Sequence, residues 1–205
     1  MNDRLLLPLT LGLVLAWTQG CEAPSSPEVP QASEAQDREI LRPSFDADSA
    51  FAFVSKQVDF GPRVPNTSQH DQCGQWLAEE LARHGAEVTV QEGRARAFDG
   101  SILNMQNIVG TFHPESRDRI LLFAHWDTRP FADKDSTRTR EPIDGANDGA
   151  SGVGVLLEVA RQLGERPSDV GVDIIFFDAE DYGKPEWLPA TENGYKDWCL
   201  GSQYW

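Results

Sequence analysis

The order of three apolar segments sets the strongest limit on how this chain can fold. Residues 120–124 and 172–177 are short, mostly apolar runs, and residues 152–163 are apolar almost all round when placed on a helix. A helix of that kind has to be buried against a sheet. Strand, buried helix and strand in this order predict a crossover between parallel neighbours. We therefore predict an α/β fold with a mixed, largely parallel, twisted sheet flanked by helices.

Shorter periodic segments precede this crossover. Residues 46–58 and 68–84 have helical patterns, and Gly85 follows the second where a glycine often ends a helix. The short β-like runs that come next are residues 86–91, 105–112 and 119–124. With 205 residues, 40% of them hydrophobic, the chain is long enough for one folded domain with its own core.

Acidic and imidazole side chains stand where the apolar runs stop. His125 and Asp127 follow the first run. Glu180 and Asp181 follow the second, and Asp148 lies in a glycine-rich loop just before the buried helix. Parallel sheets place binding sites beyond the carboxyl ends of their strands, so we expect these side chains to gather there. Carboxylates held close together repel one another unless a cation binds them, so the pattern predicts a divalent metal in a hydrolase or acyl-transfer site.

Several of these residues also have a structural interpretation. A lone His-x-Asp pair is more often a loop salt bridge, although Asp127 is also suited to ligate a metal or to orient the His125 imidazole. Asp148 suits the cap of the following helix, a role equally open to Asn147 and Ser151. Capping and ligation are compatible, so the sequence leaves both open for Asp148.

Glu180 and Asp181 are neighbours at the end of an apolar strand. Taken alone, such a pair is typical of surface acids. At a strand end, where the backbone turns, the two can divide the work: one binds a metal and the other moves protons. Asp178 precedes them as a further member of the same acidic network.

The N-terminus indicates export. Residues 5–17 form an apolar run that is shorter than the about 20 residues of a membrane span, and we assign residues 1–20 to a secretory signal peptide. The residues before Cys21 resemble the cleavage box of bacterial lipoproteins, which would make Cys21 a lipid anchor; ordinary cleavage nearby and a retained anchor are the alternatives. Residues 21–43 read as a flexible tether, which leaves residues 44–205 for the folded part. We expect a location in the bacterial cell envelope, either periplasmic or lipid-anchored, or outside the cell.

Charge and cysteine content limit the partners. The formal net charge of −15 disfavours nucleic acid and anionic membrane surfaces, so membrane contact is expected only through the Cys21 anchor. Cys73 and Cys199 remain in the folded part, and an exported protein could pair them. The sequence leaves that pairing, and the oligomeric state, undecided.

Four sequence blocks together resemble the M28 zinc-peptidase superfamily and, within it, the glutaminyl cyclase (glutaminyl-peptide cyclotransferase) branch. The blocks are residues 125–130 (His-Trp-Asp-Thr-Arg-Pro), 145–152 (Gly-Ala-Asn-Asp-Gly-Ala-Ser-Gly), 176–181 (Phe-Phe-Asp-Ala-Glu-Asp) and 200–205 (Leu-Gly-Ser-Gln-Tyr-Trp). The likeness covers most of the chain after about Phe45, and the four blocks are specific only in combination. It implies a zinc-exopeptidase-like fold.

The resemblance also implies roles for individual residues. Asp148 and Asp181 match zinc ligands and Glu180 matches the general acid/base. His125 matches a ligand of the second metal in two-zinc aminopeptidases and is left without metal in the single-zinc cyclases. The implied reaction is the zinc-dependent cyclisation of an N-terminal glutamine to pyroglutamate with release of ammonia, on peptide or protein N-termini. One Zn²⁺ is expected, or two if the chain is instead an M28 aminopeptidase.

Two departures from the family pattern affect these expectations. The family completes its zinc site with a histidine far toward the C-terminus, and no histidine follows His125 here. We therefore expect residues 44–205 to be the N-terminal part of an M28-like catalytic domain, a fragment that is incomplete at the C-terminus and inactive. Asp181 stands where many relatives have Glu, which shortens the ligand arm. A noncatalytic, envelope-tethered binding domain is the remaining alternative.

Overall fold

The computed structural model describes residues 43–189 and 194–205. The predicted signal peptide and nearly all of the predicted tether, residues 1–42, lie outside the described residues. The helices are α1 (Ala47–Asp59), α2 (Ser68–Arg83), α3 (Ala150–Glu165) and the short α4 (Leu200–Tyr204), with one 3₁₀ turn at Gly194–Asp197. The strands are β1 (Glu87–Arg96), β2 (Ile102–Phe112), β3 (Arg119–His125) and β4 (Gly171–Phe177). No helix in these ranges is long and apolar enough to span a membrane.

The sheet is mixed, as predicted, and its strand order is β1-β2-β4-β3. The predicted crossover is present: β3 and β4 are parallel neighbours joined through α3. However, β1 pairs antiparallel with β2, and β2 pairs antiparallel with β4. The prediction of a largely parallel sheet therefore holds for one of the three described pairings. The reason lies in the connections, because the short turn at Asp99 and Gly100 returns the chain directly, whereas parallel pairing needs a long crossover.

The first two helices begin at side-chain caps. The Asp46 carboxylate accepts hydrogen bonds from the backbone N–H groups of Asp48 and Ser49, and Thr67 accepts one from His70. These bonds satisfy backbone donors that have no partner inside the helix. The predicted helical segments 46–58 and 68–84 consequently agree with α1 and α2 to within one residue at each end.

The main core lies between the sheet and the helices α2 and α3. Both helices contact strands, and α1 packs on α3. The fully buried members of this core include Leu77, Leu81, Val153, Leu157, Ile108, Ile174 and Phe176. A smaller cluster joins Leu103 and Met105 of β2 to Ala179 and Leu200. The core thus fixes the end of β4, and with it the segment that carries the acidic residues.

Candidate active site

The carboxyl ends of β3 and β4 lie side by side, with His125 opposite Phe177 in the parallel register. Just beyond, the backbone N–H of Trp126 donates to the carbonyl of Phe177 at 3.0 Å. This hydrogen bond extends the pairing by one residue before the backbone segments after β3 and β4 diverge. This register brings the residues that follow the two strands to the same edge of the sheet, as the sequence predicted.

Asp127 joins the two strand ends through its side chain. It is completely buried, and its two carboxylate oxygens accept the backbone N–H groups of Glu180 at 3.0 Å and Asp181 at 3.1 Å. Its Oδ1 also lies 3.5 Å from Nδ1 of His125. Of the two roles that the sequence left open, ligation and orientation, this arrangement favours orientation, because both oxygens already hold the turn after β4.

His125 sits among three carboxylates. Its Nε2 lies 3.1 Å from Oδ1 of Asp148, and its Nδ1 lies 3.9 Å from Oε2 of Glu180 and 3.5 Å from Asp127. Burial by itself lowers the pKa of His125, but the close contact with Asp127 and the negative charges of all three acids outweigh it and raise this pKa to about 9. In the absence of a cation, the imidazolium is the positive charge nearest to these acids.

Asp148 is presented by the loop before α3. Gly149 is the N-cap of α3 and no side chain caps this helix, so Asp148 does not serve as the cap. Ser151 does not cap it either, because its hydroxyl donates to the carbonyl of Asn147 at 2.6 Å. Gly149 has φ +92°, and a Cβ there would lie 2.6 Å from the carbonyl oxygen of Asp127. Only glycine lets the loop pass this close, which brings Asp148 to the end of β3 with its side chain 57% exposed.

Glu180 and Asp181 occupy different environments, as a division of labour requires. The Asp181 side chain is 8% exposed; its Oδ1 lies 3.5 Å from Nη1 of Arg129, and its Oδ2 is buried without a hydrogen-bond partner among the described residues. Burial raises the pKa of Asp181 to about 7, and the charges of Asp127 and Asp148 add to the effect. The Glu180 side chain is 33% exposed and accepts a hydrogen bond from the Cys199 thiol at 3.3 Å.

Asp148 and Asp181 line one cavity of about 700 Å³. Its wall also includes Arg129, Phe131 and Trp198. The Arg129 guanidinium lies 4.7 Å from the Trp198 ring centre, a cation–π distance. The two acids that the sequence predicts as metal ligands, although far apart in the chain, therefore face the same space.

Three tryptophans near the site have different roles. Trp198 lines the cavity. Trp126 does not, because it is fully buried, stacks on His70 with ring centres 4.2 Å apart, and donates through Nε1 to the carbonyl of Gln106 at 3.2 Å. Trp187 packs edge-on against Phe131, whose ring centre is 5.3 Å away.

Asp178 supports the site from behind. Both of its oxygens lie 2.9 Å from Nε2 of His70, and both side chains are completely buried. Asp178 also accepts the backbone N–H groups of Gln106 and Ala179, each at 2.7 Å. Asp178 therefore belongs to the predicted acidic network, and its buried hydrogen bonds hold the turn after β4 in place. No pattern in the sequence indicates His70 as its partner.

Two arginines that the sequence analysis did not select also shape the site. Arg63 is fully buried and donates to the backbone carbonyls of Trp126 at 3.2 Å, Asp144 at 2.8 Å and Gly145 at 2.9 Å, which ties the Asp148 loop to the end of β3. Arg129 forms a two-pronged pair with Asp133 at 2.6 and 2.8 Å. Buried guanidinium groups of this kind are recognised from their contacts and not from sequence spacing.

The donor chemistry of the site agrees with zinc in part. Carboxylate oxygen and imidazole nitrogen are zinc ligands, and the unpartnered Oδ2 of Asp181 is a buried acceptor that a cation would satisfy. Asp148 faces the same cavity. Nevertheless, within residues 43–189 and 194–205 no three His, Cys, Asp or Glu side chains are arranged to hold a metal ion together. The described residues thus supply suitable ligands but not a complete site, and the roles assigned to Asp148, Asp181, His125 and Glu180 stay predictions.

Comparisons with known proteins agree with this geometry. Residues 107–205 match the family described as peptidase family M28. The chain is 56% identical to a glutaminyl cyclase from Tannerella forsythia, with a TM-score of 0.77 over 80% of this chain and 56% of that structure. It is 55% identical, with the same TM-score and coverage, to a Zn-dependent exopeptidase from Parabacteroides distasonis. Among curated proteins, the aminopeptidase YwaD of Bacillus subtilis is 38% identical over 81 residues, which are 38% of this chain and 15% of the relative. The chain therefore spans little more than half the length of the solved structures that it matches.

Proposed function

Because this chain belongs to peptidase family M28 and shares the fold of bacterial glutaminyl cyclases, we propose that its protein converts an N-terminal glutamine to pyroglutamate and releases ammonia. The substrates would be peptide or protein N-termini. The observation that carries the proposal is the cavity that Asp148 and Asp181 line together, with Glu180 next to Asp181 in the turn after β4. One carboxylate is thereby available for proton transfer next to two that are suited to a cation.

Asp148 and Asp181 are the residues that would hold the zinc ion. When bound, zinc supplies an electrophile that polarises the γ-carbonyl of the glutamine side chain. Asp181 is prepared for that role by its buried, unpartnered Oδ2. A third protein ligand is not among the described residues, and the histidine expected for this family, like the interpretation of the chain as a fragment, remains a prediction.

Glu180 provides the proton transfer. Its carboxylate accepts a proton from the α-amine of the substrate as the amine nitrogen bonds to the γ-carbonyl carbon, and it returns that proton to the nitrogen that leaves as ammonia. One carbon–nitrogen bond forms and one breaks, and no water is consumed. Both reacting groups belong to one substrate, so much of the entropic cost of bringing them together is already met.

Asp127 keeps the reacting carboxylates in place. Its bonds to the backbone N–H groups of Glu180 and Asp181 fix the turn from which both side chains extend. The cavity wall formed by Phe131 and Trp198 supplies apolar surface beside the acids. Such surface can contact the apolar part of a peptide substrate.

A two-zinc aminopeptidase is the second candidate. It is favoured by one contact, the 3.1 Å approach of His125 Nε2 to Asp148 Oδ1, because an imidazole beside a shared carboxylate is what a second metal would need. In that case the reaction is hydrolysis and the product is a free amino acid. The number of metal ions therefore separates the two functions.

The test measures products and metal binding on the same protein. We would incubate the zinc-supplemented whole protein, with any residues that its gene encodes after Trp205, with a peptide that begins with glutamine. Ammonia, pyroglutamate and free amino acid are measured, with Glu180→Gln as the comparison. Ammonia together with pyroglutamate, lost in the variant, is the expected result. Release of free glutamine instead supports the aminopeptidase.

If no product is formed, calorimetric zinc titration distinguishes a metal-binding protein from a noncatalytic domain. Loss of zinc binding in Asp148→Ala, with binding retained in Asp99→Ala at an exposed hairpin turn, is expected for a metal site at Asp148. Weak binding that is equal in the wild type and in Asp148→Ala, together with no product, supports the noncatalytic envelope-tethered domain.

We also propose that the protein is exported to the bacterial cell envelope through residues 1–20 and is lipid-anchored at Cys21. The composition of this segment supports the proposal. Mass spectrometry of the mature N-terminus tests it: a lipid-modified Cys21 is expected, and an unmodified N-terminus beyond Cys21 would contradict the anchor.

A further inference from the structure

The start of α4 is bonded directly to the turn that carries the acidic residues. Three consecutive backbone N–H groups donate to three consecutive carbonyls in reverse order. The bonds run from Cys199 to Glu180 at 2.9 Å, from Leu200 to Ala179 at 3.0 Å and from Gly201 to Asp178 at 3.0 Å. The backbone of Cys199 is therefore fixed relative to the backbone of Glu180.

Asn107 and Gly201 make this attachment tight. Asn107 Nδ2 donates to the carbonyl of Gly201 at 2.9 Å, and Asn107 Oδ1 accepts the backbone N–H of Asp178 at 3.0 Å. A Cβ at position 201 would collide with the backbone oxygen of Asp178. The fully buried amide of Asn107 and the missing side chain of Gly201 thus hold the helix start and the turn in one arrangement.

The side chain of Cys199 uses this fixed geometry to reach Glu180. Cys199 adopts a left-handed conformation with φ +56°, and its Sγ lies 3.3 Å from Oε1 of Glu180. Nδ1 of His125 lies 3.9 Å from the other oxygen, Oε2, which is beyond hydrogen-bond distance. Within the part of the chain that the structure describes, the thiol is the side-chain group that donates a hydrogen bond to Glu180.

The thiol has to be protonated to act as a donor. Burial raises the pKa of Cys199 to about 11, and the hydrogen bond and negative charge of Glu180 add to that rise. At neutral pH the group is therefore S–H, a donor to the carboxylate and not a nucleophile. Cys73 is not a disulfide partner, because both cysteines are free in the described structure and Cys73 is buried in the core.

We propose that Cys199 is a positioning residue that holds the carboxylate of Glu180 in a single orientation through its S–H donor. The effect on turnover depends on the proton-transfer role proposed for Glu180, whereas the contact itself does not. A glutamate side chain that is one-third exposed has several rotamers available, and a donor on a fixed backbone selects one of them. The reactive oxygen is then already placed before the substrate binds.

The contact is tested without any activity measurement. The full chain is treated with iodoacetamide at pH 8 in EDTA, and alkylation of Cys199 is followed by peptide-resolved mass spectrometry. Glu180→Gln should speed the modification of Cys199, because the thiolate no longer faces a carboxylate; each unit by which the pKa falls gives about tenfold more thiolate. Asp197→Asn removes an acid two positions from Cys199 and should leave the rate unchanged. An equal rate in the wild type and Glu180→Gln would overturn the proposal.

The consequence for turnover is tested by three variants. Cys199→Ala removes the donor and should lower kcat for glutamine cyclisation about tenfold with KM within about twofold. Cys199→Ser retains a donor and should recover most of the loss. Ser202→Ala removes a hydroxyl of the same helix. This hydroxyl donates to the backbone carbonyl of Cys199 and not to Glu180, so the variant should behave as the wild type. Full activity in Cys199→Ala, or no recovery in Cys199→Ser, contradicts positioning by the thiol.

The two tests separate the two ideas. If the wild type releases no ammonia but Glu180→Gln accelerates alkylation of Cys199, the proposed function fails and the contact stands. If cyclisation is observed but neither alkylation nor kcat responds, the proposed function stands and the positioning role fails. Matching circular dichroism spectra and thermal unfolding of all variants exclude misfolding as the cause of either result.

Discussion

Oδ2 of Asp127 accepts the backbone N–H of Asp181 at 3.1 Å, which ties the residue after β3 to the residue after β4. Asp127 is completely buried, so neither bond that it makes to this turn competes with water. A carboxylate has only acceptors, and this one faces only backbone donors in the turn. The position of Asp181 therefore depends on an acceptor oxygen at this site of Asp127.

Asp127→Asn is expected to damage this connection, because the amide turns one acceptor into a donor that faces a backbone N–H. The free energy of unfolding should fall by about 1–3 kcal/mol, and zinc affinity by about 10- to 100-fold, as for other groups that orient metal ligands. Urea unfolding and calorimetric titration measure the two effects. Asp99→Asn is the control, since Asp99 also accepts a backbone N–H, from Ser101, but in an exposed turn. Equal losses in the two variants would show that the strand-end link has no special role.

Asp181 should make the metal-free protein less stable as the pH rises. Its pKa is raised from 3.8 to about 7, so the folded state binds the proton more tightly than the unfolded state. The resulting penalty is absent below pH 3.8, grows between these two values and is complete above about pH 7. Asp181→Asn, which carries no charge, should therefore be more stable than the wild type at pH 8 in EDTA by on the order of 4 kcal/mol, and not at pH 4.

Urea unfolding at pH 4, 6 and 8 in EDTA measures this difference. Saturating zinc should reverse the order at pH 8, because the wild type gains the ligand that the variant lacks. A stability difference that stays constant across the pH range would contradict the assignment of the raised pKa to Asp181.

The buried pair of His70 and Asp178 should be costly to break. Asp178→Asn leaves a buried imidazole without its charged partner and should lower the free energy of unfolding by about 3 kcal/mol. The pair of Asp173 and Arg119 is the matched comparison: its contacts are 2.7 Å, but both side chains are about one-quarter exposed. Asp173→Asn should cost no more than about 1 kcal/mol. Thermal and urea unfolding compare the two variants. A smaller loss of unfolding free energy in Asp178→Asn than in Asp173→Asn would contradict a larger contribution of the buried pair to stability.

Gly149→Ala should affect both the fold and the metal site. At φ +92°, any L-residue is strained, and the added Cβ would lie 2.6 Å from the Asp127 carbonyl oxygen. Gly85 has nearly the same φ, +93°, but nothing within 4 Å of an added Cβ. Gly85→Ala should therefore cost about 1 kcal/mol, and Gly149→Ala about 2–3 kcal/mol together with weaker zinc binding. Identical unfolding curves for the two variants would indicate that the loop yields easily.

Local patterns were sufficient for the secondary structure. The helices α1 and α2 agree with the predicted segments because their caps and apolar periodicity lie within single stretches of chain. The crossover from β3 through α3 to β4 follows from the order of three apolar segments. The prediction of a largely parallel sheet was too broad, because β1 and β2 form a hairpin and β2, not a parallel strand, lies beside β4 on its other side.

The sequence by itself determined which residues are candidates for the chemistry: His125, Asp148, Glu180 and Asp181 stand at strand ends and in a glycine-rich loop, and covalent order alone reveals that. Only the tertiary structure decided what each of them touches. Asp178 and Glu180 are two positions apart, yet one is sealed in the core against His70 and the other is held by Cys199. Such partners come from distant parts of the chain, and a hydrogen bond depends on distances of a few tenths of an ångström that sequence spacing does not encode.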